Sequence, residues 1–417
     1  MDFDHILKNI DPIISSIIDK VIEGNNITES EGIELFQSHG IELNLIVAVA
    51  NYLCKRKRGD LVTYVINRNI NFTNVCIKRC GFCAFSRDFR EEEGYYLPIE
   101  EIIRRAREAE KLGATEICIQ AGLPPKMDGY LYIDICKAIK KELPNIHIHA
   151  FSPEEILYGA KRSNCSIENY LQMLKESGLD SIPGTAAEIL DQEIRDTISP
   201  GRISVKDWIK VIQYAHSIGI SSTSTIMFGH IESYSHIVKH LALLRNIQKE
   251  TTGFTEFVPL SFVHSEAPMY NRNLVKNIRN GPSGEEVLKM HAIARIFLNN
   301  FIENIQVSWV KEGPRMAQIL LDAGVNDFGG TLINESISTS AGASFGQLLK
   351  PKEIRNLIFN IGKIPAQRTS NYKIIKKFSK DNYRNEELLD KSDPQDFGSY
   401  HELIKLDSFR FKQKRSL

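Results

Sequence analysis

Asn71-Phe-Thr-Asn-Val-Cys-Ile-Lys-Arg-Cys-Gly-Phe-Cys-Ala-Phe85 places Cys76, Cys80 and Cys83 within eight residues. Thiolates are soft ligands that suit iron–sulfur clusters or zinc. Three at this spacing can hold three irons of a 4Fe-4S cluster and leave the fourth iron open to a small chelating ligand. A structural zinc site needs four ligands, commonly from two CxxC-type hooks, and the chain has one hook. A ferredoxin-like site also draws a fourth cysteine from nearby, whereas the next one, Cys118, lies 35 positions on in an apolar run that reads as a buried strand. Three small thiols packed in a core are the remaining reading, and Lys78, Arg79 and Gly81 do not look like core neighbours. A cluster is the favoured reading, with zinc and packing as the alternatives.

Outward from this run the chain alternates. A β-rich stretch, Val62 to Val75, leads into the cysteines. Pro98 opens a helix that Gly113 ends, and Thr115–Gln120 follows as a strand. The same order repeats: helix 128–143 and strand 146–151; a helix opened by Ser152-Pro-Glu-Glu155 and strand 179–182; helix 204–218 and strand 221–228; helix 234–250 and strand 255–263. Helix 284–300 precedes strand 305–310, and a last strand falls near 326–330. Strands alternating with helices of 10–15 residues indicate a parallel sheet. About eight units predict an α/β fold closed as a (βα)-barrel, complete or partly open. Residues 1–58 read as an N-terminal helical segment, 59–372 as the barrel core with its C-terminal elaboration, and 373–417 as a peripheral charged extension.

Barrel active sites lie at the C-terminal ends of the strands, and the polar candidates fall there. Gln120-Ala-Gly122 follows the second strand, His149 and Ser152 the third, Pro183-Gly-Thr185 the fourth, and Met227-Phe-Gly-His-Ile-Glu232 the fifth. His149, His230 and Glu232 are the candidate catalytic residues. His147 and His149 share one face of their strand and read equally well as hydrogen-bonded interior groups. Ser152 reads first as a helix cap, and Glu188 fits a capping box as well as a ligand contact. Gly122 and Gly229 suit either a tight turn or close approach of a ligand.

Composition narrows the partners. The 417 residues are 42% hydrophobic, enough for a large core, and Lys+Arg equals Asp+Glu at 52 each. Such a balance gives no electrostatic case for nucleic acid or an anionic membrane. No apolar stretch reaches the ~18–20 residues of a membrane span. Seven cysteines without a regular framework argue against a disulfide scaffold. Met1-Asp-Phe-Asp-His5 does not resemble a signal peptide. A soluble, reducing, cytoplasmic setting is the expectation.

The spacing CxxxCxφC, with Phe82 as φ, resembles the radical S-adenosylmethionine (SAM) pattern. The blocks Asn67–Cys76 through Gly94–Pro98, His147–Pro153, Asp180–Leu190, Ser224–Glu232, Asn326–Ser336 and Pro365–Arg368 are together similar to the CofH family, the tyrosine-using radical SAM enzymes of FO (deazaflavin coenzyme) synthesis. The likeness covers roughly residues 45–372, and menaquinone-pathway relatives of the futalosine type share the blocks with variations. Two departures stand out: Ala121-Gly122 replaces a usual Gly-Gly, and residues beyond about 372 have no counterpart. What the resemblance implies is a 4Fe-4S cluster on Cys76, Cys80 and Cys83, and SAM held by Phe82, Gln120, Gly122, Glu188, Met227 and Gly229. It further implies cleavage of SAM to a 5′-deoxyadenosyl radical and removal of a hydrogen from the amino group of L-tyrosine. Release of 2-iminoacetate and addition of the 4-hydroxybenzyl fragment to 5-amino-6-(D-ribitylamino)uracil would follow. The implied partners are a low-potential electron donor and the complementary FO synthase subunit, CofG. The competing readings are a futalosine-pathway enzyme and a non-catalytic iron–sulfur or zinc protein.

Overall fold

The computed structural model describes residues 10–411. Six parallel strands form an arc in chain order: β2 (Asn67–Ile70), β3 (Glu116–Ile119), β4 (His147–Ala150), β5 (Ser181–Ile182), β6 (Ser221–Phe228) and β7 (Phe254–Ser261). The ring closes through single bridges. Phe257 pairs with Ile305, Gln306 pairs with Asp327 of β8 (Asp327–Gly330), and Ile333 pairs with Arg68. β1 (Leu61–Val65) runs almost directly into β2 and pairs with β8. The expected barrel of about eight units is therefore present.

Period-two alternation turns one side chain in two into the lumen, polar residues among them. Along β3, Ile117 and Ile119 are fully buried beneath the outer helices, while Glu116 and Cys118 line the lumen. β6 puts Ile226 and Phe228 outside and Thr223, Thr225 and Met227 inside. Barrels of this kind usually fill their interior with layered side chains; polar residues at these positions leave room for a ligand instead. Serine caps begin the helices between strands, at Ser152, Ser166, Ser204, Ser233 and Ser283.

Three elements differ from expectation. Strand 305–310 is short: Ile305 and Gln306 bridge the barrel, but Trp309–Glu312 turns into helix and carries its side chains to the rim. The strands β9 (Ile364–Arg368) and β10 (Ile374–Lys377) had no sequence signal; β9 lies parallel to β1 and β10 antiparallel to β9. Arg368, at the end of β9, reaches into the lumen and closes its lower end through Asp327 and Glu256. The segment after 372 stays outside the barrel yet is tied to it. Tyr400 is buried, the main chain of Phe409 and Phe411 bonds Tyr96 and Gly94, and Asn334 bonds the carbonyls of Phe397 and Gly398.

Among the described residues, helices Glu29–Gln37 and Gly40–Arg58 pack against helix Gly284–Leu298, and helix Pro12–Ile22 packs on those two. No helix among the described residues is long and apolar enough to cross a membrane.

Candidate active site

Cys76, Cys80 and Cys83 are all free thiols, and all three face one cavity of about 400 Å³ that fills the barrel lumen. Their loop is pinned by main-chain hydrogen bonds on every side. Cys76 N–H donates to Arg87 O (3.0 Å), Ile77 N–H to Leu123 O (2.9 Å), Gly81 N–H to Ile198 O (2.8 Å), and Met269 N–H to Gly81 O (2.7 Å). A Cβ on Gly81 would sit 2.8 Å from the Cβ of Met269. The loop thus reaches its shape only with glycine there.

Three soft thiols that open on one cavity are a donor set that suits an iron–sulfur cluster. A guanidinium and a main-chain amide face them. Arg202 donates from Nη1 to Cys80 Sγ (3.1 Å), and the Lys78 amide lies 3.4 Å from Cys76 Sγ. Burial pushes the Cys80 thiol up to about 12, with the Arg202 charge opposing.

Arg202 had no sequence signal and is the main addition to the site. Its guanidinium lies 5.3 Å from the centre of the Phe82 ring and pairs with Glu188 (3.2 Å). Glu188 also faces Arg195 (3.3 Å), and the Nε of Arg202 makes no hydrogen bond among the described residues. Arg202 follows Ser199-Pro-Gly201, a turn whose polar residues look like ordinary loop; only the tertiary fold brings it 122 positions back to the cysteines.

The structure divides the other candidates. Phe82, Gln120, Gly122, Glu188, Met227 and His149 all line the cavity. Gln120 accepts from the Thr185 hydroxyl (2.9 Å), and Met227 N–H donates to the Glu188 carbonyl (2.7 Å). Gly122 is required by the protein itself, since a Cβ there would meet the Val75 carbonyl oxygen at 2.3 Å. His149 and His147 both bond the Ser181 hydroxyl at 2.7 Å, and burial holds the His149 imidazole down to about 4, so it is neutral near pH 7. Ser152 is a cap: Glu155 closes a capping box with it and accepts the Ala121 amide (2.9 Å). Burial raises the Glu155 carboxyl to about 7.

Gly229, His230 and Glu232 are not part of the cavity wall. Glu232 accepts the amides of Gly229 (2.6 Å) and His230 (2.9 Å) and pairs with Arg279 (2.7 Å), while His230 Nε2 bonds the Met227 carbonyl. Gly229 has φ +90°, and a Cβ there would meet Pro282 at 2.3 Å. These three residues shape the turn after β6, and Met227 is what that turn presents to the lumen.

The lower lumen holds a second polar group. Arg368 makes two bonds to Asp327 (2.5 and 2.9 Å) and one to Glu256 (3.4 Å), whose carboxyl burial raises to about 7. The Tyr372 hydroxyl also bonds Glu256. Lys311, Glu335, Ser308 and Trp309 also line the cavity.

Comparison with known proteins gives concordant results. Residues 70–244 match the radical SAM superfamily, and residues 251–381 match the CofH/MqnC C-terminal region. A protein of Methanocaldococcus jannaschii named 5-amino-6-(D-ribitylamino)uracil–L-tyrosine 4-hydroxyphenyl transferase is 50% identical over 352 residues, covering 84% of this chain and 97% of that one. A Methanothermobacter thermautotrophicus protein of the same name is 46% identical over 367 residues, covering 88% and 99%. Among solved structures, the FeFe-hydrogenase maturase HydG from Carboxydothermus hydrogenoformans superposes with a TM-score of 0.67 at 18% identity, covering 86% of this chain and 80% of that one. Methylornithine synthase (PylB) gives 0.64 at 18%, covering 84% and 97%.

Proposed function

This chain belongs to the radical SAM superfamily, in the family of the 5-amino-6-(D-ribitylamino)uracil–L-tyrosine 4-hydroxyphenyl transferases, and we propose that it performs that transfer on L-tyrosine and the ribityl-uracil. The observation that carries the reading is the opening of three free thiols, Cys76, Cys80 and Cys83, into the lumen of a hollow barrel. A 4Fe-4S cluster held there would, with SAM and one electron from a low-potential donor, supply a 5′-deoxyadenosyl radical.

The residues of the chain then have separable tasks. Cys76, Cys80 and Cys83 would hold the cluster, and the main-chain bonds around Gly81 fix the shape of their loop. Phe82 offers an aromatic face to adenine, and Gln120, Glu188 and Met227 line the path SAM would occupy. Arg202 places a positive charge between the sulfur ligands and Glu188, where a carboxylate of SAM would be met by a guanidinium with a free N–H. The walls exclude water, which protects a reactive intermediate from quenching. Further down, neutral His149, Ser181, Asn69 and Thr223 present hydrogen-bonding groups suited to a hydroxyl-rich ribityl chain. The transfer breaks the Cα–Cβ bond of tyrosine, leaves 2-iminoacetate, and joins the 4-hydroxybenzyl fragment to the uracil ring.

Location and partners extend the same reading. Seven free cysteines and an oxygen-sensitive cofactor fit a reducing cytoplasm. The complementary FO synthase subunit is the partner that would consume the adduct. The decisive experiment is anaerobic reconstitution with iron and sulfide, followed by SAM, a strong reductant, ring-labelled tyrosine and the ribityl-uracil. Mass spectrometry should find a labelled adduct together with 5′-deoxyadenosine and methionine. Turnover of a futalosine-type substrate with no labelled adduct would overturn the reading.

A further inference from the structure

Lys311 lines the cavity onto which the cysteines open. It belongs to the short helix Trp309–Glu312, which follows the narrow stave at Ile305 and Gln306. Lysine is rarely enclosed without a partner. The other cations of this cavity have theirs: Arg368 holds Asp327 and Glu256, Arg202 holds Glu188, and Lys78 pairs with Glu154 at 3.2 Å. The Lys311 ammonium has neither hydrogen bond nor ion pair within reach among the described residues, although it faces the lumen. Burial lowers its affinity for a proton, and the more distant charges of Glu335 and Glu312 oppose that.

Those two carboxylates are already engaged. Glu335 accepts the amides of Ser338 (2.7 Å) and Thr339 (3.2 Å), and Glu312 accepts the Ser261 hydroxyl. They leave the ammonium of Lys311 without a carboxylate partner among the described residues. A cation with acidic neighbours complements a zwitterion, which carries a carboxylate and an ammonium on one carbon. Beside it, Trp309, Phe262 and Leu332 give the rim an apolar surface.

We propose that Lys311 is the partner of the α-carboxylate of the amino-acid substrate, a subsite set by an ammonium that lines the cavity and has no partner among the described residues. The inference rests on the tyrosine reading above and names the group that selects an amino acid over its decarboxylated analogue. Lys311 binds and orients; the reacting atoms are left to the cofactor.

Two ligands that the enzyme does not need to turn over provide the test: 3-(4-hydroxyphenyl)propionate, which keeps the carboxylate, and tyramine, which lacks it. Calorimetric binding of each to the cluster-loaded protein is measured for wild type, Lys311→Met and Lys311→Arg. A charge-assisted contact of this kind corresponds to about a 10- to 100-fold change in affinity. Wild type should favour the propionate over tyramine. Lys311→Met should lose that preference by about 10-fold or more, and Lys311→Arg should restore most of it. In turnover, Lys311→Met should raise KM for tyrosine far more than it lowers kcat, and iron content should match wild type. Undiminished preference for the propionate in Lys311→Met overturns the proposal even if the labelled adduct forms. A wild-type protein that makes no adduct yet loses the carboxylate preference on substitution would overturn the tyrosine reading and keep the subsite.

Discussion

The two walls of the cavity are built on different plans. The wall that bears Cys76, Cys80 and Cys83 is sewn together by main-chain bonds among four loops and carries one buried charge cluster, Arg202 with Glu188 and Arg195. The far wall, from β7 through β8 to Arg368, is held by side chains: Arg368 bonds Asp327 and Glu256, and Lys311 has no partner among the described residues. The side chains of the near wall fall in the superfamily match at 70–244 and those of the far wall in the narrower match at 251–381, with Met269 of the second region bonding the cysteine loop of the first. Generation of a radical asks for the same rigid geometry in every such enzyme. Choice of substrate asks for side chains that differ from family to family.

The largest expected effect breaks the near wall. Alanine in place of Cys76, Cys80 or Cys83 removes an iron ligand, and reductive cleavage of SAM should fall to background while circular dichroism stays that of the wild type. Cleavage that persists in all three variants contradicts the assignment of the near wall.

Arginine substitutions compare the walls directly. Arg202→Met leaves Glu188 with a single partner, and Arg368→Met leaves Asp327 buried beside Glu256 without a cation. Removal of one partner from a buried pair costs about 3–5 kcal/mol. Both variants should therefore lose stability of that order in urea unfolding. Their chemistry should part: Arg202→Met weakens SAM binding, whereas Arg368→Met retains SAM binding and loses adduct formation. Equal loss of SAM affinity in both would erase the distinction between the walls.

Acid should affect both halves alike. His240 stands behind the near wall, with Nδ1 accepting the Leu190 amide and Nε2 donating to Thr225 O, both at 2.9 Å. His291 lies in the helix behind β7 and bonds Val287 O (2.8 Å). Burial depresses them to about 3 and about 4, so the folded chain binds fewer protons than the unfolded chain below pH 6.5. Their contribution is complete above that pH and is lost as pH falls toward the folded values. At pH 5 each should cost about 2 kcal/mol relative to pH 7.5. Denaturation curves at pH 7.5, 6 and 5 for wild type, His240→Gln and His291→Gln measure the two shares. Unfolding free energy that is flat over this range rules the mechanism out.

The walls also differ in how far they could be read before the fold was known. The cysteine run, the βα alternation and the capping residue Ser152 declare themselves locally, through spacing, period and helix-start chemistry. Phe82, Gln120 and Met227 follow because strand ends converge in a barrel. Arg202 escapes because its importance depends on a contact 122 residues away. Gly229, His230 and Glu232 carry the right residue types at a strand end, but their polar groups satisfy the turn itself. The far wall is harder. Ile305–Val310 alternates like a strand, yet Trp309 Nε1 bonds Gly330 O (2.8 Å) and the chain coils there, which delivers Lys311 to the rim. β9 carries Pro365 and depends on β1 for its pairing, so its polar end at Arg368 gives no local sign that it will seal the lumen.

The smallest expected effect concerns the outer strap that supports the near wall. Tyr400 packs its ring 5.3 Å from that of Phe85, and its hydroxyl bonds Phe85 O (3.3 Å) and Asn74 Nδ2 (3.5 Å). Asn74 also accepts the Tyr95 amide and donates to Glu93 O, so the hydroxyl completes a network rather than founding it. Tyr400→Phe keeps the ring contact and deletes two long hydrogen bonds, for a loss of about 1 kcal/mol or less. Tyr400→Ala removes a buried aromatic side chain and should cost about 3–5 kcal/mol. If the strap braces the cysteine loop, the alanine variant should also retain less iron after reconstitution, and the phenylalanine variant should not. Full iron content in both would show that the main-chain bonds around Cys76 and Gly81 hold the loop unaided, which makes the near wall still more self-sufficient than the far one.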